Sequence, residues 1–320
     1  MKRVLALLFV LVFTVSLISG CGSSNSQTGT EKPKKVIGVL LENFSDQWQT
    51  YLKDSMAKTA EKLKGDNIEV VFLDGRRDAA NQMSQMEQLI SRKVDAIVLM
   101  PVDNTAAKPM VKEAIKAKIP LISVNRILPN QELVASYVGS DDVFAGQLEA
   151  QEMATELSGK GNIIIIEGGY GSLPQIQRKQ GYDNILKKYP DIKVIATQTG
   201  EWTREKAMKI TEDLIQSGMQ FDGILAENDE MALGAIKALQ DAGRLGKVIV
   251  GGIDATPEAL KYVKEGELNF TVYQNATAQG STAIEVAAKL VAGQTVDKKV
   301  IIPFELVTKD KVDDYIAKYK

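Results

Sequence analysis

From Val36 onward the sequence alternates short β-branched apolar runs with longer amphipathic ones, and this alternation constrains the fold more than any other feature. Runs at 36–41, 68–73, 94–100, 120–124, 162–167, 192–198, 222–226, 247–252, 269–274 and 300–304 predict strands. Most are apolar on both faces, as strands buried inside a parallel sheet are. Between them, sets such as Leu52/Met56/Ala60/Leu63, Met83/Met86/Ile90, Val111/Ile115 and Ala232/Ile236/Leu239 repeat every three or four residues and predict helices. Asp46, Asp78, Asn104 and Asp229 stand where such helices would be capped. The rhythm of about thirty residues is that of a βα unit. Repeated βα units imply the α/β class, with parallel sheets covered by helices on both faces.

The rhythm breaks in the segment 128–142, where Pro129-Asn130 and Gly139-Ser140 flank only a short apolar run at 134–138. It breaks again after Gln274, and a third break falls near Leu306. These breaks read as crossings between two doubly wound lobes joined by a multi-strand hinge. One lobe would comprise 36–139 plus 275–306, the other 140–274 plus 307–320. Ligands in such folds bind beyond the carboxyl ends of the strands, so function is to be sought in the loops that follow them.

The first residues have a different character. Met1-Lys2-Arg3 is basic, and the stretch from Val4 to Ile18 carries no charge, which is the pattern of a secretory signal peptide over 1–20. The run is shorter than the roughly 20 residues of a transmembrane helix. It leads into Leu17-Ile18-Ser19-Gly20-Cys21, which resembles a bacterial lipobox, in which the cysteine carries the lipid. Cys21 is the only cysteine, and it is the expected lipid attachment site. Residues 21–35 are rich in Ser, Thr, Gly, Gln and Lys, the composition of a flexible tether. The expected location is therefore the extracytoplasmic face of the cell membrane, held by a lipid anchor alone.

Composition removes several classes of activity. With no histidine and one cysteine, neither a Ser-His-Asp or Cys-His catalytic arrangement nor a histidine or cysteine metal site can be assembled. A net charge of -2 gives no footprint for nucleic acid. What the strand-end loops do hold is a concentration of planar polar groups and both tryptophans. They supply Glu42, Asn43, Asp46, Gln47, Trp48 and Gln49, then Asn125 and Arg126, then the Gly168-Gly169-Tyr170-Gly171-Ser172 turn with Arg178 close behind, then Trp202, Asn228, Asp229, Asp254 and Gln274. Carboxylates, amides and guanidinium forks engage paired hydroxyls, and an indole covers the CH face of a sugar ring. The set suits a neutral polyhydroxylated ring. Each member also has a plainer role open to it: Asp46 and Asp229 as caps, Arg126 in a surface ion pair, Trp48 and Trp202 as core anchors, Asn228 in a turn. The glycine-rich turn lacks the spacing of a phosphate loop and reads as a strand-to-helix connection.

Four strings carry a family resemblance: Asn125-Arg126 after Ile122-Ser123-Val124, the stretch Ala226-Glu-Asn-Asp-Glu-Met-Ala-Leu-Gly-Ala235, Gly252-Ile-Asp-Ala-Thr-Pro257, and Thr271-Val-Tyr-Gln274. They resemble the periplasmic sugar-binding proteins of the ribose-, galactose- and inositol-binding type, from Val36 nearly to the C-terminus. The resemblance implies a type I periplasmic binding protein fold and a monomer that closes on one sugar and hands it to an ABC importer permease. It assigns hydroxyl contacts to Asp46, Asn125, Arg126, Arg178, Asn228, Asp254 and Gln274, with ring stacking by Trp48 and Trp202. Gln49 stands where ribose binders resemble one another in having a second aromatic residue.

Other departures narrow the ligand. Glucose- and galactose-type relatives use a histidine near Gly171-Ser172 and carry a calcium loop, and this chain has neither. The Gly139-Ser140-Asp141-Asp142 turn and the 175–178 stretch are similar to inositol- and rhizopine-type relatives. A six-membered ring, hexose or inositol, is therefore expected before ribose, with no cofactor, no metal and no catalysis. The alternatives are a pentose binder, a sugar sensor presenting its ligand to a membrane receptor, and a glycosidase using Glu42 and Asp254. A transcriptional regulator would need a helix-turn-helix where the signal and tether stand.

Overall fold

The structure, a computed structural model, describes residues 34–319. The predicted signal peptide and Cys21 lie outside the described residues, as does the tether up to Pro33. The first strand begins at Lys35, inside the segment read as tether, where the Lys35 amide donates to the Asn67 carbonyl.

The first sheet contains β1 (Lys35–Leu41), β2 (Ile68–Asp74), β3 (Ala96–Leu99), β4 (Leu121–Val124), β5 (Ser136–Gly139) and, from far along the chain, β11 (Lys299–Ile301). Its order is β11-β5-β4-β3-β1-β2, parallel throughout. Helices α1 (Gln47–Leu63) and α9 (Ala276–Val291) pack with Ile37, Val39, Trp48, Leu52, Met56, Ile284 and Ala287 in one core. Helices α2 (Ala79–Ser91) and α3 (Ala107–Lys116) close a second core around Leu40, Met86, Leu89, Ile97 and Met110.

The second sheet is built the same way from β6 (Lys160–Glu167), β7 (Asp191–Thr199), β8 (Gly223–Ala226), β9 (Ile249–Asp254), β10 (Phe270–Tyr273) and β12 (Glu305–Thr308), in the order β12-β10-β9-β8-β6-β7. β12 runs antiparallel to β10 and the other pairs are parallel. Helices α4 (Asp142–Glu156) and α5 (Leu173–Leu186) contribute to one core. Helices α6 (Arg204–Gln216), α7 (Asp229–Asp241), α8 (Pro257–Glu265) and α10 (Val312–Ala317) contribute to the other. This is the α/β architecture of two doubly wound lobes that the alternation implies. The chain passes between sheets after β5, after β10 and after β11.

The strand reading fails in two places. The 134–138 run, read as part of a crossing, overlaps β5, a four-residue strand seated between β4 and β11. The run at 300–304 is not one strand. Pro303 has no amide hydrogen for a ladder, so β11 stops at Ile301 and the chain leaves for the second sheet before the predicted break near Leu306. Two of the caps also move. Asn104 caps nothing; α3 starts after Ala106, whose amide donates to Asp103 Oδ1 at 2.6 Å. Asn228, not Asp229, caps α7, accepting from the Met231 amide at 2.9 Å.

One close helix contact places the site. A Cβ on Gly146 of α4 would stand 2.1 Å from the carbonyl oxygen of Arg178, and one on Gly181 of α5 would stand 2.3 Å from that of Val143. Only backbone this bare lets α4 and α5 approach enough for Asp142 to reach Arg178. Gly146→Ala is expected to lower stability by about 1–3 kcal/mol through overpacking, read as a lower midpoint in urea unfolding. An unchanged midpoint would mean the helices can separate freely.

Candidate ligand-binding site

The loops at the carboxyl ends of the strands meet around one cavity, the position in which open α/β sheets bind small molecules. The residues expected to contact the ligand, Asp46, Trp48, Gln49, Asn125, Arg126, Arg178, Trp202, Asn228, Asp254 and Gln274, line it, whereas Asn43, Gln47, Asp229 and the 168–172 turn of the same loops do not. Glu42, Met100 and Pro174 complete the lining. Glu42 stands in the loop after the first strand, where the sequence offers it only as one of a catalytic pair, while Met100 and Pro174 carry no polar signal to find them by.

In the first lobe, β1 delivers Glu42, and the Asn43 side chain then folds the loop by accepting from the amides of Ser45 at 3.0 Å and Asp46 at 2.7 Å. Asp46 takes an extended backbone and caps α1 by accepting from the Gln49 amide at 3.0 Å. That puts Trp48 and Gln49 in the first turn, at the cavity wall. The Trp48 indole donates to the Gln274 carbonyl at 3.1 Å, so its edge is anchored on a crossing while its body packs in the first core. β4 ends at Val124, and Asn125, with φ 62°, turns the chain so that Arg126 follows into the site. Asparagine tolerates that left-handed backbone better than most residues.

In the second lobe Trp202 has φ 65° and Asp254 φ 134°, backbone that side chains rarely adopt. Strained residues of this kind gather at ligand sites. Gly168 lies against Trp202: a Cβ there would stand 2.0 Å from the indole. The glycine-rich turn is therefore what makes room for the tryptophan. Asn228 caps α7 and also lines the cavity, whereas Asp229 is turned to Thr271 Oγ1 and the Thr256 amide at 2.6 and 2.8 Å.

The two guanidinium groups are held before any ligand arrives. Arg178 donates from Nε to Asp142 at 2.9 Å, from Nη1 to the Glu227 carbonyl, and from Nη2 to Gln274 Oε1 at 3.1 Å. Its Cζ lies 5.7 Å from the Trp202 ring centre. Arg126 donates from Nη2 to Glu42, from Nη1 to the Pro101 carbonyl at 2.6 Å, and leaves Nε without a protein partner. Glu42 also accepts from Gln49 Nε2 at 3.0 Å. Gln274 Nε2 is likewise buried and unpaired. Burial raises the Asp254 carboxyl well above the usual range, reinforced by the neighbouring Asp229 charge. Burial raises Asp46 as well, against the pull of the Gln49 amide. Each cation is thus matched by an acid inside the protein, and what faces the cavity is a set of hydrogen-bonding groups rather than a net positive charge.

Beneath this layer Glu149 of α4 is fully buried against Tyr182, whose hydroxyl donates to it, and burial pushes its carboxyl up to about 8. Between about 4.5 and 8 the folded chain keeps a proton that the unfolded chain releases, so stability falls as pH rises through that window. Asp229, pushed up to about 6 by burial, adds a loss of the same sign at lower pH. Calorimetry near pH 5 and pH 9 is expected to show a lower Tm at the alkaline end and a smaller drop in Glu149→Gln. An equal drop in both proteins would remove Glu149 from this role.

The profile of the periplasmic binding protein domain family matches residues 37–295. The xylitol-binding protein of Mycolicibacterium smegmatis is 40% identical over 297 residues, which cover 92% of this chain and 83% of the relative. The putative rhizopine-binding protein of Rhizobium meliloti is 36% identical over 293 residues, covering 89% and 93% respectively. Among solved structures, an ABC transporter solute-binding protein from Bacillus halodurans C-125 with bound myo-inositol is similar with a TM-score of 0.87 and 41% identity, covering 89% of this chain and 98% of that one. With two parallel-sheet lobes, three crossings and this extent of likeness, the chain belongs to the periplasmic binding protein domain family and has its type I fold.

Proposed function

We propose that this protein is an extracytoplasmic, lipid-anchored substrate-binding protein that captures one monosaccharide or cyclitol between its lobes and, as a monomer, delivers it to an ABC importer permease. The observation that carries the reading is the convergence of polar groups from both lobes, with both tryptophans, on one cavity whose cations are already neutralised. Such a lining offers a phosphate or carboxylate no free counter-charge and offers hydroxyl groups many partners. The relatives named for xylitol, rhizopine and myo-inositol support a polyol ligand.

In this reading Asp46, Gln49, Asn125 and Arg126 engage the ligand from the first lobe, and Arg178, Asn228 and Asp254 from the second. Gln274 acts from the crossing between them. Trp48 and Trp202 cover the faces of the ring. The two lobes close as units because ligand contacts to both exist only when they are together. Binding without chemistry suffices: the Glu42 oxygen that would serve catalysis is occupied by Arg126 and Gln49. A six-membered ring remains the preferred ligand over ribose.

Ligand binding to the native state raises the melting temperature by mass action, by about 2.7 kcal/mol of stability at a hundredfold excess over Kd. Screening myo-inositol, glucose, galactose, xylose, ribose and xylitol is expected to give the largest shift with a six-membered ring. A larger shift with ribose would establish the pentose alternative, and no shift with any of them would reject the reading. Anchorage is tested separately: Cys21→Ser is expected to move the protein from the membrane fraction to the soluble one. Retention in the membrane would show that something other than the lipid holds it.

A further inference from the structure

Beside the second crossing, four tyrosines from distant parts of the chain meet. Tyr273, the last residue of β10, packs edge-on against Tyr315 of α10 at 5.1 Å between ring centres and lies 6.4 Å from Tyr319. Tyr319, just beyond α10, packs in turn against Tyr51 of α1 at 5.5 Å. Tyr319 rests on the core of the second lobe and Tyr51 on the core of the first, so this ring pair joins the two lobes. Lys318 steadies the second-lobe side, its Nζ lying 4.8 and 4.7 Å from the Tyr273 and Tyr315 ring centres. Tyr51 stands one turn along α1 from Trp48, whose indole donates to the Gln274 carbonyl next to Tyr273. The same helix therefore touches the other side of the hinge twice: at its start by a hydrogen bond, one turn later by a ring.

We infer that Tyr319 is a positioning residue for the cleft: through Tyr51 it holds the start of α1, with Asp46, Trp48 and Gln49, in the closed arrangement, without touching the ligand. An aromatic pair of this geometry is worth about a two- to tenfold bias between the states in which it is made and broken. Apparent affinity scales with the fraction of molecules in the binding-competent state, so loss of the pair weakens binding by the same factor. Ring packing, not the phenol, carries the effect, since Tyr319 Oη makes no hydrogen bond among the described residues.

The inference rests on the proposed function only for its ligand, and the cleft contains its own probes, because Trp48 and Trp202 stand in different lobes and are the only tryptophans in the chain. Full-length wild type, Tyr319→Ala, Tyr319→Phe, Tyr51→Ala and the double alanine variant are titrated with myo-inositol by tryptophan fluorescence, and quenched with acrylamide without ligand. Tyr319→Ala and Tyr51→Ala are each expected to raise Kd about two- to tenfold. The double variant should be no weaker than the worse single one, and Tyr319→Phe should match wild type. A Tyr319→Ala Kd equal to wild type, additive losses in the double variant, or failure of phenylalanine to rescue would overturn the inference. Wild type that ignores myo-inositol counts against the ligand reading instead. Ligand-free quenching then decides: tryptophans more accessible in both alanine variants support the clasp, and unchanged quenching overturns it.

Discussion

The structure turns on one buried guanidinium. Arg178 and its partner Asp142 have side chains only 4% exposed, and the fork ties together the start of α4 just past the first crossing, the carbonyl at the end of β8, and Gln274 at the second crossing. Removing one member of such a pair typically costs about 3–5 kcal/mol, because the other charge is left stranded out of water. The fork sits where the close α4–α5 contact, the Trp202 ring and Gln274, whose carbonyl receives the Trp48 indole, come together. The second lobe and the hinge are thereby referenced to a single side chain.

The same economy governs the cavity. A site for hydroxyl groups needs charged and polar side chains out of water, and isolated buried charges are prohibitive. Arg126 with Glu42, and Arg178 with Asp142, solve this by neutralising each other before a ligand enters. Asp254, with no such partner, is instead pushed toward its protonated form. The unpaired Arg126 Nε and Gln274 Nε2 mark donors that the protein itself leaves unsatisfied, and buried donors of that kind call for an acceptor from outside the chain.

Much of this was legible in the sequence. Strands buried on both faces give continuous apolar runs, and helices covering them give a three-to-four spacing, so the α/β class and most elements could be read directly. Loops after strands all open on one edge, so the polar residues there could be gathered into one list before their distances were known. The failures were local. β5 is four residues long, with Ser136 turned to the Asp297 carbonyl, and such a run looks like a loop until its neighbours are known. The 300–304 run ignored Pro303. Asn228 and Asp229 are equally good caps by residue type, and only the backbone at the start of α7 separates them.

The periodicities, the breaks in them, and the residue types at the strand ends follow from neighbours along the chain and were legible before any fold was known. Only the tertiary structure decided partners. That Arg178 pairs with Asp142, that Arg126 pairs with Glu42, that Trp48 donates to Gln274, and that Tyr319 meets Tyr51 are contacts between residues 36 to 268 positions apart. No local pattern encodes such pairings; they arise when parallel strands and bare helix faces bring distant segments together, and burial then forces a charge either to find a match or to give up its ionisation.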